Sequence, residues 1–94
     1  MKAIIDGKLY CTDAAEEILR FTRRVDKGPV LWNPEFHWMM THTFVLYKTK
    51  KAAYFEHDED AGTIAALSCS DVERIVRRAS PEKYIELFGP VEDA

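Results

Sequence analysis

Ninety-four residues, 47% apolar and 31% charged, describe one soluble-type globular domain too short for two hydrophobic cores. Uninterrupted apolar stretches reach only a few residues, as at 44–47, against the roughly 20 that a bilayer span requires. Asp6 and Lys8 break the first apolar run, so nothing reads as a secretory leader. The composition excludes disordered, collagen-like and disulfide-dense classes.

The formal net charge of −3 disfavours phosphate-dominated nucleic-acid binding. It is unevenly spread: residues 1–51 hold nine Lys/Arg and six Asp/Glu, a net of +3, and residues 52–94 hold four and ten, a net of −6. That pattern fits a mixed-sign solvated surface, or a two-faced molecule whose acidic side meets a basic partner. Cys11 and Cys69 are far apart with no CxxC pair, which predicts a cytoplasmic chain with two reduced thiols, at least one buried. A single bridge is left open.

Along the chain, Ala3–Ile5 and residues 8–11 flank Asp6-Gly7, the signature of a two-residue hairpin turn. Thr12-Asp13 offers an N-cap, and Ala14, Ala15, Ile18, Leu19, Thr22 and Val25 recur at helical spacing, predicting a helix over 13–25. Arg20, Arg23, Arg24 and Lys27 crowd its last turns and Gly28-Pro29 ends it. Residues 35–49 contain no Gly or Pro and read as a long strand with a bulge near 41–43. Lys50-Lys51 makes a turn, 53–57 a returning strand, 57–62 a polar loop and 63–67 a short strand. Ser70 with Glu73 fits a capping box for one helix, and Ser80-Pro81 starts a second that Gly89-Pro90 stops. The expected fold is α+β: one domain over 1–94, with a mainly antiparallel sheet of about five strands in the order ββα-βββ-αα, covered on one face by helices. Residues 88–94 are expected to fray.

Chemistry is sparse. No Gly-rich phosphate loop, nucleophile elbow or H-E-x-x-H helix occurs, and no nucleophile, base and orienter are brought together, so no catalysis is expected. His37 and His42 fall on opposite faces of a strand, unsuited to one metal ion. Glu56, His57, Asp58, Glu59 and Asp60 lack the spacing of a calcium loop. They read as a solvated turn or as an acidic interaction knob, and no metal or cofactor is expected. Trp32, Phe36, Trp38, Met39 and Met40 are either core or the aromatic and sulfur-rich surface of a protein contact.

Three blocks resemble a family of small proteins of phages and bacterial mobile elements: Asp6-Gly7-Lys8-Leu9-Tyr10-x-Thr12-x-x-Ala15-x-x-Ile18, then Leu46-Tyr47-Lys48-Thr49-Lys50-Lys51-x-x-Tyr54-Phe55, then Lys83-Tyr84-x-x-x-Phe88-Gly89. The chain departs from that pattern at Ala52, where glycine is usual, in its short acidic loop, and in the aromatic segment 32–40. The resemblance implies an accessory protein that blocks host defence, notably an anti-CRISPR inhibitor binding a Cas effector. In that reading Glu56, Asp58, Glu59 and Asp60 meet basic residues of the target while Trp32 or Trp38 anchors the contact. Two alternatives stand beside it. One is direct nucleic-acid binding by Arg20, Arg23, Arg24, Lys27, Lys48, Lys50 and Lys51; the other is a homodimer formed through a free strand edge within 35–49.

Overall fold

The computed structural model describes residues 1–89. The first two strands, β1 (Lys2–Ile5) and β2 (Lys8–Cys11), form an antiparallel hairpin. Its turn places Asp6 at φ 51° and Gly7 at φ 75°, the paired positive values that a type I′ turn demands and that Asp-Gly tolerates. A 3-10 turn over Thr12–Ala14 follows. Then β3 (Glu16–Val30), β4 (Asn33–Lys48), β5 (Tyr54–Asp58) and β6 (Thr63–Leu67) make an antiparallel meander in the order β3-β4-β5-β6. Two helices, α1 (Cys69–Ala79) and α2 (Pro81–Phe88), complete an α+β domain.

The helix expected over 13–25 is a strand. Helical spacing leaves Phe21 among the arginines. Strand spacing instead aligns Leu19, Phe21, Arg23 and Val25 on one face, opposite Leu46, Phe44, His42 and Met40. Only that arrangement gives Phe21 its stack on Phe44, with centroids 5.6 Å apart, and such long-range pairing overrides local propensity. The Gly28-Pro29 signal is not a helix stop either. Gly28, at φ 103°, lies at a register shift between Asp26 and Pro29, and Pro29 sits on the outer strand of the sheet, where no ladder donor is needed. The irregularity expected in β4 near 41–43 is not there: register shifts fall in β3 at Ile18 and after Asp26, and in β4 over 34–36, between the pairs Pro29–His37 and Val30–Asn33.

Leu46 points to the helix layer, where it packs with Val72 and Val76, all fully buried. Each such side chain contributes about 1.5–3 kcal/mol by leaving water. Val45, Tyr47 and Phe55 face the other way, and Tyr10 of the hairpin meets Phe55 edge-on at 5.5 Å. The sheet is thus covered on both faces, by helices on one and by the β1–β2 hairpin on the other. The capping box of α1 is set two residues earlier than the spacing suggests, with Ser68 as N-cap and Asp71 as its partner. Ser80 caps α2 and Pro81 opens it, as expected. Phe88 closes α2 and the Gly89 N–H bonds to Ile85 O, so neither is frayed as expected; residues 90–94, the rest of that expectation, lie outside the described residues. Both cysteines are free thiols, Cys11 half-buried and Cys69 exposed, so neither is a core residue.

Beyond Phe44, β4 has no β5 neighbour, and β3 and β4 run on as a two-stranded arm that turns at Leu31-Trp32. The radius of gyration is 15.6 Å, against about 12 Å for a compact chain of this length. The arm accounts for that excess. Among the described residues, no helix is long and apolar enough to cross a membrane.

Candidate functional site

The helix-facing side of β4 continues outward as a stripe. Leu46, Phe44 and His42 lie buried at its root, and Met40, Trp38 and Phe36 follow at alternate positions along the arm. Past the helices nothing among the described residues covers the stripe: Met40 is 54%, Trp38 53%, Phe36 64% and, at the turn, Trp32 78% and Leu31 97% exposed. Trp32 and Trp38 meet edge to face with centroids 6.3 Å apart, a geometry that suits their quadrupoles. The segment is therefore not core. Three aromatics of roughly 150–250 Å² each, more than half exposed, leave about 400 Å² of apolar surface before the methionines are added, at the scale of the largest patches on monomers. Leu31 joins this surface although the sequence reading does not include it, and so do Phe36 and Met40, two of the residues read as core or contact. Their signal was the unbroken apolar parity of 36, 38 and 40.

The acidic segment is built differently from an exposed knob. Glu56 and Asp58 are both only 8% exposed. Glu56 faces β3, where the Arg23 guanidinium gives it two hydrogen bonds, at 3.0 and 3.4 Å, while lying 4.1 Å over the Phe44 ring. Asp58 Oδ2 accepts from His42 Nδ1 at 2.8 Å, and its Oδ1 accepts the N–H groups of Asp60 and Ala61 at 3.0 Å each. An ionised carboxylate only accepts, so the His42 proton sits on Nδ1. Burial pushes the Asp58 carboxyl up, but the bonds from His42, Ala61 and Asp60 outweigh it and hold the group below the usual carboxylate range. Glu59 pairs with Arg20, which also reaches Glu17 at 3.2 Å. Asp60 is exposed, and its Oδ2 accepts the Thr43 N–H at 2.7 Å. Donor atoms of His42, Asp58 and Asp60 lie within 4.8 Å of one another, a spread that a cation could bridge. Each carboxylate already holds the loop closed through backbone N–H bonds, which accounts for the cluster.

The basic residues do not gather into one patch. As neighbours on a strand, Arg20 and Arg24 point to one face of β3 and Arg23 to the other. Arg20 and Arg23 are paired with carboxylates, and Lys48 lies 5.8 Å over the Tyr54 ring. Lys50 and Lys51 sit at the β4–β5 turn, at the opposite end of β4 from the arm, while Arg24 and Lys27 are exposed on the arm's flank. His37 binds Asp26 at 2.8 Å on the arm face opposite the stripe. The Gly28 N–H and then His37 lower the Asp26 carboxyl from its ordinary value.

Two open clefts flank the sheet. One, of about 550 Å³, lies between β3 and α1 and is lined by Phe21, Arg23, Arg74 and Arg78. The other, of about 560 Å³, lies between the β1–β2 hairpin and the β4–β5 turn and is lined by Lys8, Tyr10, Cys11, Lys50 and Lys51. Arg23 and Arg74 of the first are neutralised by Glu56 and Asp71. No family model, curated protein or solved structure matches the chain.

Proposed function

We propose that this is a non-enzymatic binding protein that acts by surface contact in the cytoplasm, with the β3–β4 arm as its principal contact element. The observation that carries the reading is the uncovered stripe of Trp32, Phe36, Trp38 and Met40 in a chain whose other aromatic side chains are all buried or half-buried. Interface energy concentrates in a few aromatic anchors that enter a dry pocket on the partner. An arm two strands wide carries such anchors well beyond the body of the domain. The carboxylates contribute less to the contact than their number suggests, since Glu56 and Asp58 are spent internally. Glu59 and Asp60 remain to select an approach face.

The choice of partner, a Cas effector or another nucleic-acid-targeting complex of the host, rests on the sequence resemblance alone. Purified Cas effector–guide complexes are the direct probe. Stoichiometric binding that abolishes target cleavage, lost in Trp32→Ala/Trp38→Ala with folding intact, is the expected result. Wild-type protein that leaves binding and cleavage untouched across effector types refutes the inhibitor reading. Inhibition undiminished in the double variant refutes the role of the arm. Direct nucleic-acid binding predicts retarded DNA or RNA at low salt and loss of that shift in Arg24→Ala/Lys27→Ala.

A further inference from the structure

The outer edge of β4 carries backbone groups that are satisfied at both ends and open in the middle. Thr43 uses both of its groups on this edge: its N–H bonds to Asp60 Oδ2 and its C=O accepts the Glu59 N–H at 3.0 Å. Outward groups alternate along an antiparallel strand, so Thr41, Met39 and His37 present theirs on the same edge. β5 pairs with β4 only over Phe44–Lys48 and does not reach them. Glu35 would be next, but its N–H is taken by Asn33 Oδ1 at 3.2 Å. Among the described residues three open rungs remain, symmetric about Met39, in a ribbon two strands wide, a width that is marginal in water without a further strand.

We propose that a second copy of this chain fills that edge, pairing β4 with β4 antiparallel about a two-fold axis at Met39. The ladder then sets His37 opposite Thr41 of the other copy, Met39 opposite Met39, and Thr41 opposite His37. Rung count, spacing and direction match because both sides are the same segment, as an isologous contact requires. On the stripe face the same register sets Trp38 beside Met40 of the other copy, the sulfur-to-ring contact that thioethers favour. Along the three rungs no like charges oppose, since residues 37–41 hold no Lys, Arg, Asp or Glu; Glu35 comes next, opposite Thr43 and the Asp60 that holds the Thr43 N–H. Side chains flanking the seam are apolar and roughly half exposed, Trp38 at 53%, Met39 at 41% and Met40 at 54%, so pairing removes apolar surface as well as closing donors. β3 is a poorer edge for the purpose, with bulges at Ile18 and after Asp26 and a proline at 29 that guard against pairing. In the dimer the two stripes join into one apolar platform. The inference thereby deepens the contact reading above, although its test needs no partner protein.

Sedimentation velocity from low micromolar to several hundred micromolar, with amide hydrogen exchange at both ends of that range, reads the proposal on the wild-type chain. The expected result is a dimer, with exchange at His37, Met39 and Thr41 slowed roughly tenfold or more as it forms. Met40 and His42, whose N–H groups face β3, are protected at every concentration. Met39→Pro removes an outward N–H and leaves the pairing to β3, so it is expected to stay monomeric with Met40 and His42 still protected. A monomer across the whole range overturns the proposal. So does a dimer in which the three amides exchange freely, which would place the contact elsewhere. Effector binding that persists in monomeric Met39→Pro leaves the contact reading standing, whereas a wild-type dimer that binds no effector leaves the self-pairing standing.

Discussion

Asp58→Ala is the perturbation that separates a structural acidic loop from an exposed one. The carboxylate receives one bond from a buried imidazole and two from backbone amides. His42 is only 4% exposed, so removing its acceptor leaves a buried donor unpaired, at a cost of about 1–3 kcal/mol. The two amides border exposed residues where water can replace part of the loss, adding about 0.5 kcal/mol each. The sum, about 3 kcal/mol, corresponds to a fall in Tm of roughly 15 °C for a domain of this size. Circular dichroism melts at neutral pH measure it. A double-mutant cycle with His42→Ala is expected to return about 1–2 kcal/mol of coupling. The pH dependence has a fixed sign. A carboxyl held below its unfolded value of about 4 gives its full stabilisation above that value and loses it as pH falls through the folded one. The gap between wild type and Asp58→Ala should therefore narrow below about pH 4. A Tm loss under about 4 °C at neutral pH, or a gap that stays constant into strong acid, refutes the account.

Ala52 stands at φ 63° in the β4–β5 turn, where an L-residue costs about 1–2 kcal/mol. Ala52→Gly is expected to stabilise the chain by about 0.5–1 kcal/mol after the added unfolded-state entropy, read as a higher urea midpoint at unchanged m-value. Leu46→Ala opens a cavity under α1 at a fully buried position and should cost about 3–4 kcal/mol in the same assay. Trp32→Ser, at a side chain 78% exposed, should change stability by less than about 0.5 kcal/mol while weakening partner capture. Glu56→Ala should do the reverse: it leaves Arg23 without its carboxylate and loosens the cover over Phe44. It is expected to lower Tm by several degrees with little direct effect on the contact.

Local chemistry was enough to read several elements from the sequence. Asp6-Gly7 specifies its turn because both residues accept positive φ. Ser80-Pro81 specifies a helix start because a hydroxyl and a fixed φ suit the first turn. The run 35–49 is extended because aromatic and β-branched side chains favour a pleated surface. The α+β class follows from those elements in order. β3 could not be read in this way. Its apolar residues satisfy a helical period and a strand period at once, and the choice between them was made by β4, which supplies partners for Leu19, Phe21 and Arg23 from 19 to 27 residues downstream. The same pairing decided what the charges do. Glu56 and Asp58 look like an acidic knob as a string of letters, yet the sheet turns both toward the helix side against Arg23 and His42 and removes them from the surface. Whether Trp32, Phe36 and Trp38 are core or contact also depended on length: the helices are too short to follow β4 to its tip, so the tip stays bare. Composition and turn residues settled the kinds of the other elements, and non-local strand pairing, which no local window contains, decided the kind of β3 and which side chains face water.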